Sequence, residues 1–342
     1  MIAYKYRSGR GPKDCDGNDI FERDIMLLSQ DSIYIPTVEQ LNDPSEALFD
    51  DSIFKMQIGL FKPFVTSDAF NRVKLALDDL YKKIRSSGIY SLSKDPLNEL
   101  MWAYYANGHS GYAIMFDTDV LAKSFENVKY GGMYEFDVSY SSKLPRFDIS
   151  KIDKNIGDVL TVFVGNKSKS WQHEVEHRLI FEQGSRSLKI DYRAIKGFVF
   201  GCRMPQDDID YVMRMFSGRD LAYYQIARDD HSYKLSRIKI EDKYPTDVKY
   251  CPNKVEYDIE KLLENDRFIE GVGYKYRNFV ERALGEVCYE PFVTGISHIV
   301  VTDNERYPHI LIWTNYDQDG AYKKMRKFEY DVINGEIVKV EV

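Results

Sequence analysis

The stretch Trp171-Gln172-His173-Glu174-Val175-Glu176-His177-Arg178-Leu179-Ile180-Phe181 decides how the chain is read. Glu174, Glu176 and Arg178 alternate with Val175 and His177 and run into the apolar Leu179-Ile180-Phe181. Such period-two alternation is the mark of a strand rather than a helix. Residues two apart on a strand share a face, so two carboxylates and a guanidinium form one row behind Trp171. The same pattern argues against a helical metal site from His173 and His177, and we expect no metal ligands. Burying this row is costly unless its charges pair with one another or with a ligand. It reads as the edge of a cleft, with a surface ladder on an edge strand as the alternative.

Upstream, Ile2 to Arg7 alternates as a short strand, and Asp19 to Leu28 spaces its apolar residues as a helix capped by Asn18 or Asp19. A strand at Ser32 to Pro36 and a turn at Leu41 to Glu46 follow. Ser67 to Ser86 is the clearest helix, with Gly88 as its stop. Then come a strand at Ile89 to Ser93, a short helix at Pro96 to Tyr105, a strand at Gly111 to Asp117, a strand or hairpin at Val128 to Tyr140, and a helix at Ile149 to Lys167. Beyond Phe181, the pattern predicts a strand at Ile195 to Cys202, a helix at Asp207 to Phe216, and strands near Tyr223 and Ser236.

Charged residues and two prolines interrupt the pattern between Glu241 and Pro252, which sets a boundary between a main domain, residues 1–245, and an accessory α+β domain, 246–342. The accessory part reads as helices at Lys254 to Glu264 and Tyr276 to Val287 followed by strands from Ser297 onward, with Asn334-Gly335 as a hairpin turn. Tyr-Lys-Tyr-Arg occurs at Tyr4 to Arg7 and again at Tyr274 to Arg277, an echo we take as chance.

A net charge of −7 and a pI near 5.5 leave no overall basic field for sequence-independent nucleic-acid binding. Neither a secretory signal nor a membrane-spanning apolar run is visible, so a cytoplasmic protein with no membrane partner is expected. Cys15, Cys202, Cys251 and Cys288 make no CxxC, and we expect them reduced and structural.

A second constellation lies between Ser91 and Phe116. Ser91 and Ser93 supply hydroxyls, and Trp102, Tyr104 and Tyr105 supply planes on which a nicotinamide or adenine ring can stack. For Trp102 and Tyr105 taken alone, an aromatic stripe packed into the core is the favoured reading. His109, in the turn Asn107-Gly108-His109-Ser110-Gly111, is the stronger functional candidate, and Arg7 at the end of the first strand can meet a diphosphate.

In order, Tyr4 to Arg7, Asn42-Asp43-Pro44 with Glu46, Ser91-Leu92-Ser93, Met101 to Ala106 with His109 and Gly111, Phe116-Asp117, and Trp171 with Glu174, Glu176 and Arg178 resemble the bacterial domain of unknown function 2971 over residues about 1–240. The chain departs from that pattern at Tyr104, where the family's Met-Trp-x-His-Tyr has a histidine, and at Gly9 to Asn18. The order of elements is also similar to the ADP-ribosyltransferase fold, which implies an α+β protein with a central split mixed or antiparallel sheet and flanking helices. In that resemblance Arg7 with Ser91 or Ser93 holds NAD, Tyr104 or Tyr105 stacks near the nicotinamide, and Glu174 or Glu176 is the catalytic carboxylate, with Arg178 orienting its neighbour. It implies a toxin or phage-defence effector acting on a protein or nucleic-acid acceptor. Two other classes remain: a non-catalytic nucleotide sensor or partner-binding module, and a metal-dependent nuclease built on Asp117, Glu174 and Glu176.

Overall fold

Alternation from Ile2 to Arg7 produces strand β1 (Ile2–Arg7), which buries Ala3, Tyr4 and Tyr6 and leaves Lys5 and Arg7 half-buried. The computed structural model describes residues 1–61, 63, 66–126, 133–146, 156–265, 272–303, 307–318 and 324–340. The chain divides into two compact units, one holding Met1–Glu126 and Tyr130–Pro245, the other Asn127–Lys129 and Thr246–Val342. The division falls inside the interrupted stretch Glu241 to Pro252.

In the first unit Asp19 caps α1 (Ile20–Ser29) by accepting from the Phe21 and Glu22 amides, and β2 (Ser32–Ile35) follows. Helices α2 (Ser52–Phe61) and α3 (Ser67–Ser86) lead to β3 (Gly88–Ser93). Asn98 caps the next helix, so α4 (Glu99–Tyr105) starts three residues later than Pro96 suggested. Strand β4 (Tyr112–Asp117) ends in the carboxylate that caps α5 (Thr118–Lys123). The hairpin expected from Val128 lies partly outside the described residues, which resume with β5 (Met133–Asp137) and β6 (Ser139–Ser141). The helix expected from Ile149 is likewise described only as α6 (Ile156–Val164). It does not reach Lys167: the chain turns at Gly165 and continues as β7 (Asn166–Ser168).

The strand expected from Trp171 is shorter at its start. Lys169–Glu174 is a 3-10 turn, Val175 takes the left-handed conformation at φ 44° and ψ 55°, and β8 (Glu176–Phe181) begins only after it. Strand β9 (Arg186–Lys189), β10 (Ile195–Phe200), α7 (Gln206–Met215), β11 (Ala222–Arg228) and β12 (Leu235–Ile240) complete the unit.

Eight of these strands make a large mixed sheet in the order β12-β11-β10-β4-β1-β3-β8-β5, in which only the β10–β11 pair is parallel among the described residues, while β2 pairs with β9 and β6 with β7. Strand β1 pairs with β4 over its whole length, from Ile2 opposite Asp117 to Arg7 opposite Tyr112. With β3 it registers at Tyr4 opposite Ser93, so Lys5, Tyr6 and Arg7 and the facing part of β3 diverge from that point. Beyond the divergence, β3 and β8 pair fully, placing Ser93 opposite Glu176 and Ser91 opposite Arg178. One apolar layer, with Tyr4, Tyr6, Trp102, Met115 and Val199, backs the first half, and another, with Ile89, Phe163, Val164 and Ile180, backs the second. The arrangement is α+β, with helices beside a large mixed sheet.

The second unit carries α8 (Ile259–Glu264), α9 (Val272–Lys275) and α10 (Arg277–Val287) and an antiparallel meander of β13 (Val293–Asp303), β14 (Pro308–Tyr316), β15 (Met325–Ile333) and β16 (Glu336–Lys339). Asn334 and Gly335 both have positive φ, the geometry that a two-residue hairpin turn needs. Val280, Leu284 and Val287 pack on Ile299, Val301, Ile310, Ile312 and Phe328. The second Tyr-Lys-Tyr-Arg falls on α9 and α10, in a different backbone conformation from the first. All four cysteines are free; Cys15 and Cys251 are exposed, which does not fit the structural role expected of them. Among the described residues no helix is long and apolar enough to cross a membrane.

Gly197 marks where β10 bulges against β4 and crowds β11. Its φ is +153°, and a Cβ there would sit 1.9 Å from the Ala222 carbonyl oxygen. Gly197→Ala should therefore destabilise the chain by roughly 3 kcal/mol or more, through a displaced β11 backbone. Urea unfolding checks this, and an unchanged midpoint would contradict it.

Candidate active site

The divergence of β1 from β3 opens a cleft of about 310 Å³. Lys5 and Arg7 line it from β1, Ser91 and Ser93 from β3, Glu176 and Arg178 from β8, Lys167 from β7, and Met101 and Tyr105 from α4. Gln40, Leu41, Asn42 and Glu46 close it from the segment after β2. Arg7, Ser91, Ser93, Tyr105, Glu174, Glu176 and Arg178 are thus gathered here from the expected set.

The floor is a chain of charges. Arg178 is fully buried; its Nε and one terminal nitrogen donate to the two oxygens of Glu176 at 2.9 and 3.0 Å, and its terminal nitrogens reach the two oxygens of Glu46 at 2.6 and 2.9 Å. The Lys167 ammonium bonds Glu174 and lies 3.3 Å from Glu176. The Tyr105 hydroxyl donates to the other oxygen of Glu174 at 2.5 Å. Ser93 donates to the Glu174 carbonyl at 2.7 Å, and the Tyr140 hydroxyl accepts the Glu176 amide at 2.8 Å.

Glu174 does not stand in the strand row that alternation implied. The left-handed Val175, a β-branched residue where that conformation is strained by about 1–3 kcal/mol, turns the 3-10 segment into β8. Both carboxylates nevertheless meet at one ammonium, because the turn returns Glu174 to the face that carries Glu176. They titrate in opposite directions. Burial raises the Glu174 carboxyl, and its bonds to Lys167 and Tyr105 do not fully offset that. Burial acts the same way on Glu176, but Arg178 and then Lys167 outweigh it and hold this carboxyl down to about 2. Burial alone would lower Lys167, yet the two carboxylates keep it above the usual lysine value.

Three expected cofactor residues are elsewhere. Trp102 is fully buried, with its indole N–H donating to the Pro96 carbonyl at 2.8 Å and its ring against Tyr6 at 5.0 Å. It is core, since a helix turns about 100° per residue and only Met101 and Tyr105, four apart, face the cleft. Tyr104 points outward, 59% exposed, with its ring 6.1 Å from His173. His109 stacks on Trp102 at 6.5 Å and does not line the cleft. Burial and then Arg203 lower its imidazole. His177 bonds Asp137 at 2.9 Å on β8, whereas His173 sits in the 3-10 turn. Asp117, the third nuclease candidate, caps α5 and does not line the cleft.

Spacing alone gives no role to Lys167 or Lys5, and none to Glu46 although it stands in the family pattern. Lys167 was hidden in a helix that ends earlier, and Glu46 in a turn without periodicity. Lys5 had a visible signal, standing two residues before Arg7 and so on the same strand face.

Removing the guanidinium would strand two buried carboxylates. Arg178→Met should cost about 3–5 kcal/mol at neutral pH, measured by chemical denaturation. The Glu176 carboxyl is lowered in the folded chain, so its stabilising share is fully present above pH about 4.5 and is lost as pH falls towards about 2. Glu176→Gln should flatten that part of the acid-unfolding profile; an unaltered profile would refute the assignment.

No curated protein and no solved structure matches the chain. Residues 101–179, from Met101 at the cleft wall to Leu179 beyond Arg178, match the family model described as a protein of unknown function, DUF2971, so the similarity is carried by the segment that supplies Tyr105, Lys167, Glu174, Glu176 and Arg178 to the floor.

Proposed function

We propose that the cleft takes NAD as a substrate, breaks its nicotinamide–ribose bond and passes ADP-ribose to a protein, a nucleic acid or water. NAD and the acceptor H–X then yield nicotinamide, ADP-ribosyl-X and a proton. The observation that supports this reading is the pair Glu174 and Glu176 on one buried ammonium, with opposite titration. Loss of a leaving group from ribose builds positive charge at the sugar, and a carboxylate held ionised and oriented stabilises it without reorganisation. Glu176 has that character. Proton removal from an acceptor calls for a carboxyl nearer neutrality, and Glu174 has that one. Tyr105, beside Glu174 at the cleft wall, offers a ring face to a flat heterocycle.

A second reading, a nucleotide-binding cleft without turnover, is favoured by the saturation of both carboxylates with hydrogen bonds. It predicts ligand-dependent thermal stabilisation and no product. A nuclease fits less well, because the Lys167 ammonium stands between the carboxylates where a cation would have to bridge them.

Nicotinamide release from NAD, followed by chromatography with cell extract as the acceptor source, separates the readings. The wild-type chain should release it, and Glu174→Gln and Glu176→Gln should each slow release by about 10²-fold or more while thermal melting shows a folded chain. No release by the wild type, or release by both variants at the wild-type rate, would rule the enzyme reading out.

A further inference from the structure

The cations around the cleft differ in what they pair with. Lys167 is held by Glu174 and Glu176, and Arg178 by Glu46 and Glu176. Arg7 meets Asp24 at 2.5 Å, and Arg23 meets Asp14 at 3.1 Å and the same Asp24 at 3.0 Å. Lys5 is the exception. Its ammonium donates to the Ser91 carbonyl at 2.9 Å across the divergence of β1 from β3, and lies 4.7 Å over the Tyr90 ring. Among the described residues no carboxylate forms an ion pair with it. A half-buried ammonium without an anion is expensive to hold.

We infer that the missing partner of Lys5 is a diphosphate group of the substrate, seated along β1 between the Lys5 ammonium and the Arg7 guanidinium. The two side chains share a strand face and are spaced by roughly 6.5 Å, a span suited to two linked phosphates rather than to one carboxylate. Arg7 retains open donors, because its side chain is 31% exposed and Asp24 also serves Arg23. The inference rests on the cleft being a nucleotide site and adds to that reading the residue that selects the substrate's charge.

The site also couples binding to protons. Burial first, and Arg7 second, hold the Lys5 ammonium down to about 7, against the pull of Glu176, Asp24 and Glu174. An anion beside it moves that value back towards the ordinary lysine range. Above pH about 7 binding therefore takes up a proton, and affinity falls about tenfold per pH unit.

The test is calorimetric titration of the full chain with inorganic pyrophosphate at about pH 7.5 and about pH 8.5, a window in which one protonation state of the ligand predominates, in buffers of different ionisation enthalpy. The wild type should bind more weakly at the higher pH, with proton uptake. Lys5→Met should bind at least tenfold more weakly and with no pH dependence between these values. Lys5→Arg, which stays charged, should restore binding but not the pH dependence. No pyrophosphate binding by the wild type, or Lys5→Met binding like the wild type, would overturn the inference. Lys5-dependent pyrophosphate binding in a chain that releases no nicotinamide would leave this site standing and remove the NAD chemistry; release without Lys5-dependent binding would do the reverse.

Discussion

The buried bridge Glu46–Arg178–Glu176 is the constraint on which the cleft depends. A guanidinium removed from water is tolerable only when its donors are all met, and Arg178 meets them with two carboxylates and the Val164 carbonyl. Those partners come from the turn after β2, from β8 and from the end of α6. Three segments distant in sequence are therefore fixed against one planar group, whose fork dictates the angle at which Glu176 is presented. A lysine could neutralise the same charges but would impose no such angle.

Around this bridge the first unit gathers buried charge, and one of its left-handed residues stands beside it. The sheet is regular between β1 and β4 and between β3 and β8, and it comes apart where β1 leaves β3. Val175 adopts a conformation that its branched side chain disfavours, beside the two carboxylates. Uncompensated strain of this kind marks a place where geometry matters beyond folding. Here the strained turn returns Glu174 to the Lys167 ammonium instead of letting the chain continue as strand.

Much of this was legible in the sequence where periodicity is local. The strand Ile2–Arg7 and the helix Ser67–Ser86 have the bounds that alternation and the Gly88 stop suggest. The two Tyr-Lys-Tyr-Arg copies show where that legibility ends, since one is strand and the other helix: the neighbours decide, not the tetrapeptide. Alternation also pointed to Glu174 and Glu176 for the right companionship and a wrong reason, because the left-handed Val175 has no signature in the pattern. Trp102 takes the core place that an aromatic stripe favours, while Tyr105 lines the cleft, and an aromatic run on a short helix does not announce which of its faces meets the core. Lys167 escaped because the apolar spacing before it carries a helix past its true end at Val164, and the role of Glu46 escaped because ion pairing across more than a hundred residues, as between Glu46 and Arg178, leaves no trace in spacing.

The opposite titration of Glu174 and Glu176 follows from one asymmetry. Both are buried and both touch Lys167, so desolvation and the shared ammonium push them alike. The difference is the guanidinium, which chelates Glu176 and leaves Glu174 with a neutral phenol in its place. A phenol stabilises a carboxylate by a hydrogen bond but brings no charge, and inside a low-dielectric floor the charge is the larger effect. Two like residues are thereby given unlike protonation behaviour, which is the condition for one to hold charge while its neighbour exchanges a proton.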